Sequence, residues 1–131
     1  MTVPLPNDFH QIPEQALKVN WHESVNSLIQ TYAPLPWFNI EWFAQLLGMT
    51  SRTLQRNLIA EGMTFREMHD AARRDLAIEL LKEPELSAQE VAWRVGYDDL
   101  SNFNRAFKKW TGYTAPAYRK YMKDLEDSQS Q

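Results

Sequence analysis

The chain has 131 residues, 44% of them hydrophobic and 24% charged, a composition typical of a soluble globular domain. It holds no cysteine, which excludes thiolate zinc sites and disulfides; no apolar run reaches the roughly 20 residues of a membrane span, and a start with Pro4 and Pro6 and no basic residue is not a signal peptide, so a cytoplasmic location is expected. The net charge of −3 argues, as an average, against a polyanionic partner.

Residues 1–21 are expected to form an N-terminal extension. Apolar positions at three- and four-residue spacing from Val25 to Tyr32 predict a first helix over Trp21–Tyr32, and the A-P-L-P stretch at 33–36 offsets it from the next helical segment. The same periodicity continues over Ile40–Leu47, Leu54–Ile59 and Phe65–Leu81. The segment Thr64–Lys82 carries a capping threonine and an apolar stripe of Phe65, Met68, Ala72, Leu76 and Leu80, which predicts one continuous helix; its 18 or so residues span roughly 27 Å, comparable to the roughly 34 Å between major-groove openings on one face of a duplex. Alternating, strand-like stretches are missing, and Gly48, Gly62, Gly96 and Gly112 each stand where a helical pattern stops. Residues 124–131 form an acidic tail.

The chain also repeats itself. At a shift of 48, Pro36 meets Pro84, Asn39 meets Ser87, Phe43 meets Val91, Ala44 meets Ala92 and Gly48 meets Gly96. At 49, Leu54 meets Phe103, Arg56 meets Arg105 and Leu58 meets Phe107; at 50, Gly62 meets Gly112 and Thr64 meets Thr114. Each copy makes physical sense as a helix-turn-helix. Asn39 or Ser87 caps its first helix, the latter with the S-x-x-E spacing of a capping box to Glu90. Ala44 or Ala92 lets a crossing helix approach closely, and a glycine four residues later makes the sharp turn. Thr50, or Asp98 with Asp99, caps the second helix, and Leu54 and Leu58, or Phe103 and Phe107, pin it at i, i+4 spacing. The expected fold is therefore all-α and homeodomain-like: a first helix-turn-helix unit at 22–63, a connecting helix at 64–83 and a second unit at 84–123.

Pinning one face of each second helix frees the other. The free faces show Arg52, Thr53, Gln55 and Arg56 in the first unit, and Leu100, Ser101, Asn102, Asn104 and Arg105 in the second. Arginine pairs bidentately with guanine, Gln and Asn with adenine, Ser or Thr with either, and an apolar side chain meets the thymine methyl. Ordinary amphipathicity is the alternative for either unit alone; its occurrence in both copies favours base reading. Charge is sorted to match. Residues 1–50 carry four acids and one base, residues 124–131 three acids and no base, and residues 51–123 hold thirteen of the fourteen Lys and Arg against ten acids. From 100 to 123 there are six bases and no acid, so a local basic face survives an acidic total. Thr50, Lys108, Lys109, Thr114, Arg119 and Lys120, with amides at helix starts, are the expected phosphate contacts.

The string V-A-W-R-V-G-Y-D-D-L-S-N-F-N-R-A-F-K-K-W-T-G-Y-T-A-P-A-Y-R, Val91 to Arg119, closely resembles the signature of the AraC/XylS family of bacterial transcription regulators. The first unit, Ile40 to Arg56, and A-A-R-R-D-L-A-I-E-L-L of the joining helix are similar to the same family, so the resemblance covers about residues 22–121. It implies a DNA-binding domain of two helix-turn-helix units acting on bacterial promoters, often as an activator that contacts RNA polymerase. Carried over by position, the family's base contacts fall on Arg52, Gln55, Arg56, Ser101, Asn102, Asn104 and Arg105. Two departures stand out. Pro116 sits one place later than the family's usual proline after the glycine, which still allows a cap at Thr114. The family's usual separate sensing or dimerisation domain has no room in residues 1–21, so the chain reads as a short stand-alone, monomeric regulator or as the C-terminal domain of a longer one.

Other candidates are weaker. His10, His22 and His69 are scattered without a ligand-spaced partner and imply no metal. Asp98–Asp99 read as a cap pair. Trp42, Trp93 and Trp110 share helical spacing with leucines and phenylalanines, which predicts core packing over base stacking. No nucleophile elbow, phosphate loop or catalytic constellation is present, so no enzyme activity and no cofactor are expected. The rival expectation is a helical protein-interaction module that uses the same faces and an exposed Leu100 to bind a transcription partner.

Overall fold

Residues 21–129 are described by the computed structural model; the rest of the N-terminal extension, with His10, and the last two residues of the tail lie outside them. The described residues form α1 (Trp21–Tyr32), α2 (Ile40–Leu46), α3 (Ser51–Ala60), α4 (Phe65–Leu81), α5 (Ala88–Arg94), α6 (Leu100–Thr111) and α7 (Ala115–Gln129), with no strand among them. Helix starts are set by side-chain caps where the sequence places them. Asn39 Oδ1 accepts from the Trp42 amide at 2.8 Å, and Thr64 Oγ1 from the Glu67 amide at 3.1 Å. Ser87 and Glu90 close a full capping box, which satisfies two otherwise orphaned amides reciprocally.

The two copies turn in the same way. After α2 the Met49 amide bonds the Ala44 carbonyl, and after α5 the Tyr97 amide bonds the Ala92 carbonyl, both at 2.9 Å. Between them Gly48 and Gly96 adopt φ of 74° and 99°, a left-handed conformation in which a Cβ costs about 1–2 kcal/mol. Ala44 and Ala92 are fully buried, as a close helix crossing requires.

The chain divides into two compact units, one closing at Ala72 and the other opening at Arg73, so the boundary falls inside α4. Each unit has its own core. The first gathers Val25 and Ile29 of α1, Phe43 and Leu46 of α2, Leu54 and Leu58 of α3, and Met68 and Ala72 of α4. Around it runs an aromatic cluster in which Trp42 meets Tyr32 and Trp37 edge-on at 5.0 and 4.8 Å. The second gathers Ala77 and Leu81 of α4, Val91 and Ala92 of α5, Phe103 and Phe107 of α6, and Ala115 of α7. Arg73 lies over the rings of Tyr97 and Trp110 at 4.9 and 5.7 Å, so this cation is held within the second unit's packing.

The internal repeat is longer than the sequence comparison indicates. His69 Nε2 donates to the Ala33 carbonyl at 3.2 Å, and Arg119 Nε donates to the Leu81 carbonyl at 3.0 Å. Ala33 and Leu81 are related by the shift of 48, and His69 and Arg119 by the shift of 50. In both copies the last helix therefore reaches back to a carbonyl at the end of the helix that precedes the unit. Helix α4 serves twice, as the last helix of the first copy and the preceding helix of the second.

Three expectations need correction. Trp93 is 59% exposed and does not pack in a core, because Val91, Ala92 and Val95 already fill the inward face of α5. Ile59, assigned to the apolar stripe of α3, is 65% exposed, since one residue past Leu58 the helix has turned by about 100° and carries it off the core-facing side. The acids Asp124, Glu126 and Asp127 do not form a separate tail; they continue α7 to Gln129.

Candidate nucleic-acid interface

Helix α3 is anchored by Thr50, whose Oγ1 accepts from the Thr53 amide at 3.1 Å, and by the fully buried Leu54 and Leu58. Helix α6 is anchored by Asp99, whose carboxylate accepts from the Ser101 and Asn102 amides, and by the fully buried Phe103 and Phe107. Burying a side chain of that size contributes roughly 1.5–3 kcal/mol, so each pair fixes its helix in rotation as well as in place. At 100° per residue, the opposite face of α3 then presents Arg52, Gln55 and Arg56, all exposed, and that of α6 presents Ser101, Asn102, Arg105, Lys108 and Lys109, all exposed.

The expected contact residues divide into those left free and those already engaged. Among the described residues Arg52, Arg56, Lys108, Lys109 and Lys120 make no ion pair or side-chain hydrogen bond, whereas Arg74 pairs with Asp75 and Lys82 with Glu79. Lys82 Nζ donates to the Glu79 carboxylate at 2.9 Å, and this bond holds the Lys82 amine pKa above its ordinary value, so that charge is committed within α4 and its end. Thr53 is half-buried, and its hydroxyl accepts from that of Thr50 at 3.0 Å. Thr114 caps α7 through the Ala117 amide at 3.3 Å, with Pro116 inside the first turn as expected. Arg105 Nη2 donates to the Asn102 carboxamide oxygen.

Beyond the capping threonines, three more of the expected contacts carry structural work. Leu100 is not exposed: it is half-buried against the second core, because the start of α6 lies on the α5 turn. Asn104 is half-buried and its Oδ1 accepts from the Ala115 amide at 3.3 Å, satisfying a free amide at the start of α7. Arg119 donates Nε to Leu81 and Nη2 to the Glu83 carbonyl at 3.1 Å, closing the end of α4. The basic surface is correspondingly narrower than six cations over residues 100–123 suggests.

A helix-turn-helix domain family model matches residues 43–121, from within α2 into α7. The chain belongs to the AraC-type helix-turn-helix family. One relative, the ornithine utilization regulator of Pseudomonas aeruginosa, is 38% identical over 81 residues, 62% of this chain and 24% of its own. The solved structure of the transcriptional regulator CdpR from the same organism is 41% identical and matches with a TM-score of 0.68, covering 73% of this chain and 30% of its own. The C-terminal domain of AraT, a response regulator from Geobacillus stearothermophilus, is 32% identical with a TM-score of 0.71, covering 76% and 83%. The chain thus spans about a quarter of the length of the curated regulators it matches first.

Within this AraC-type frame, local periodicity misses one exposed residue on the face of α3. Ile59 stands at i+3, i+4 and i+7 from Arg56, Gln55 and Arg52, and it lines a shallow cavity of about 280 Å³ with Ile40, Gln55, Thr64, Phe65 and Arg66. The repeat carries the missing signal: the shift of 49 pairs Ile59 with Lys108, an outward position, and the shift of 48 pairs Trp93 with the exposed Gln45.

Proposed function

We propose that this chain binds duplex DNA sequence-specifically as a bacterial transcription regulator, with α3 and α6 entering successive major grooves. The observation that carries this reading is the duplication of one arrangement: two helices, each pinned by a buried i, i+4 pair, each presenting arginine with amide or hydroxyl side chains outward. Arg52, Thr53, Gln55, Arg56, Ser101 and Arg105 read base edges, with Asn102 beside Arg105 on the same exposed face of α6. Asn104 and Leu100 support α6 at the groove and approach bases only from its flank. Lys108, Lys109 and Lys120, aided by amides at the helix starts capped by Thr50 and Thr114, hold phosphates and set register, and Arg119 supports the helix that carries Lys120. The acidic total of −3 weakens non-specific attraction and leaves more of the discrimination to base contacts. The kinship with proteins named transcriptional regulators supports the same reading, a role in the bacterial cytoplasm, and no catalytic step.

The test is selection of bound sites from a random duplex pool, followed by mobility shift at two salt concentrations. One enriched motif and strong salt dependence are expected; an unenriched pool overturns the reading. A second reading, docking of a transcription partner such as RNA polymerase, is favoured by Trp93, which is 59% exposed on α5 and lies off both reading faces. Trp93→Ala then lowers transcription from a bound promoter without lowering DNA affinity; equal loss of both contradicts it.

A further inference from the structure

Equivalent arginines of the two copies stand in different surroundings. Arg56 on α3 makes no hydrogen bond or ion pair among the described residues, and Thr53, which occupies the place of Asn102, has its hydroxyl bonded to the cap residue Thr50. On α6 the Arg105 guanidinium donates Nη2 to the Asn102 carboxamide oxygen one turn earlier, while the nearby Asp99 carboxylate is taken up by two amides. Both side chains are exposed, so neither is held by core packing.

The chemistry of that bond separates the two residues' roles. To read adenine bidentately, an asparagine turns its oxygen and nitrogen together into the groove, the oxygen accepting from N6 and the nitrogen donating to N7. A carboxamide whose oxygen accepts from a residue at i+3 lies along the helix surface instead. Arginine has five N–H donors in a rigid fork; with one committed to Asn102, an edge with two parallel donors remains for the O6 and N7 acceptors of guanine. Resting on the DNA reading above, we infer that Asn102 is a positioning residue for Arg105, one that orders the guanidinium for a single guanine, and not an adenine reader. The first copy lacks this brace, so selectivity at the base pair read by Arg105 exceeds that at the pair read by Arg56.

The experiment uses the full chain and a site selected from a random duplex pool, with affinities measured for that site and each single base-pair variant. Arg105→Ala is expected to abolish preference at one G·C pair. Asn102→Ala weakens preference at the same pair by about three- to tenfold, the effect of one exposed side-chain hydrogen bond, and the double variant is no worse there than Arg105→Ala. Asn102→Asp lowers affinity at every site through its charge but keeps the preference, because an oxygen acceptor remains. The inference is overturned if Asn102→Ala relaxes an A·T pair that Arg105→Ala leaves alone, if the two losses multiply, or if Asn102→Asp loses the preference as Asn102→Ala does. A selected site whose preferences are indifferent to Arg105→Ala overturns this inference alone, whereas a wild-type chain that enriches no site overturns the DNA reading with it.

Discussion

Arg119→Ala is expected to destabilise the second unit while leaving untouched the choice of site. The side chain is half-buried and donates two hydrogen bonds, Nε to Leu81 at 3.0 Å and Nη2 to Glu83 at 3.1 Å, both to carbonyls where α4 ends. A bond from a charged donor nets about 1.5–3 kcal/mol when well shielded; partial exposure reduces this to about 1 kcal/mol each, or about 2 kcal/mol for the pair. For a unit of about 60 residues that lowers its Tm by about 8–16 °C. Calorimetry is the assay, since it registers the two units' transitions separately if they uncouple. Arg119→Lys keeps the charge but offers a point donor in place of a fork, and it should recover less than half of the lost stability. Were Arg119 instead a phosphate contact, Arg119→Ala would leave the Tm unchanged while the salt slope of DNA binding fell by about one, and Arg119→Lys would restore that slope. That outcome refutes the structural role assigned to this residue.

Other substitutions probe the interface and its supports. Arg56→Ala should cost about 1–3 kcal/mol at the selected site and little on random duplex, by competition binding; equal losses on both identify it as a phosphate contact. Lys108→Ala should weaken binding to all sequences alike and make the salt dependence shallower, whereas a sequence-dependent loss places it among the readers. Ser87→Ala opens the capping box of α5 and should cost about 1 kcal/mol in urea unfolding, with an unchanged midpoint arguing against the box.

How much of this molecule is legible in its sequence depends on what each residue answers to. Caps and turns answer to local chemistry, so Asn39, Thr50, Ser87 and Asp99 start helices where their spacing predicts, and Gly48 and Gly96 turn the chain. The pinning pairs Leu54–Leu58 and Phe103–Phe107 answer to periodicity, and all four are fully buried. Arg119 and Asn104 answer to backbone groups 38 and 11 residues away, and such distant carbonyls and amides leave no mark in a local pattern. Periodicity also misplaces Ile59 and Trp93, because hydrophobicity alone does not tell an inward from an outward position at the end of a short helix. Comparing the two copies position by position corrects both, and it pairs Arg119 with His69, whose imidazole bonds the equivalent carbonyl. Repetition here carries more information about side-chain direction than does periodicity.

Reading by two separate helices is tested most directly by a hydroxyl-radical footprint, with guanine-methylation interference, on a site selected from random duplex. Two protected segments are expected about one helical turn, roughly 10 base pairs, apart on one face of the duplex. Arg56→Ala should erase interference in one segment and Arg105→Ala in the other. Protection of a single segment, or two segments that fade together with either substitution, would contradict reading by two separate helices.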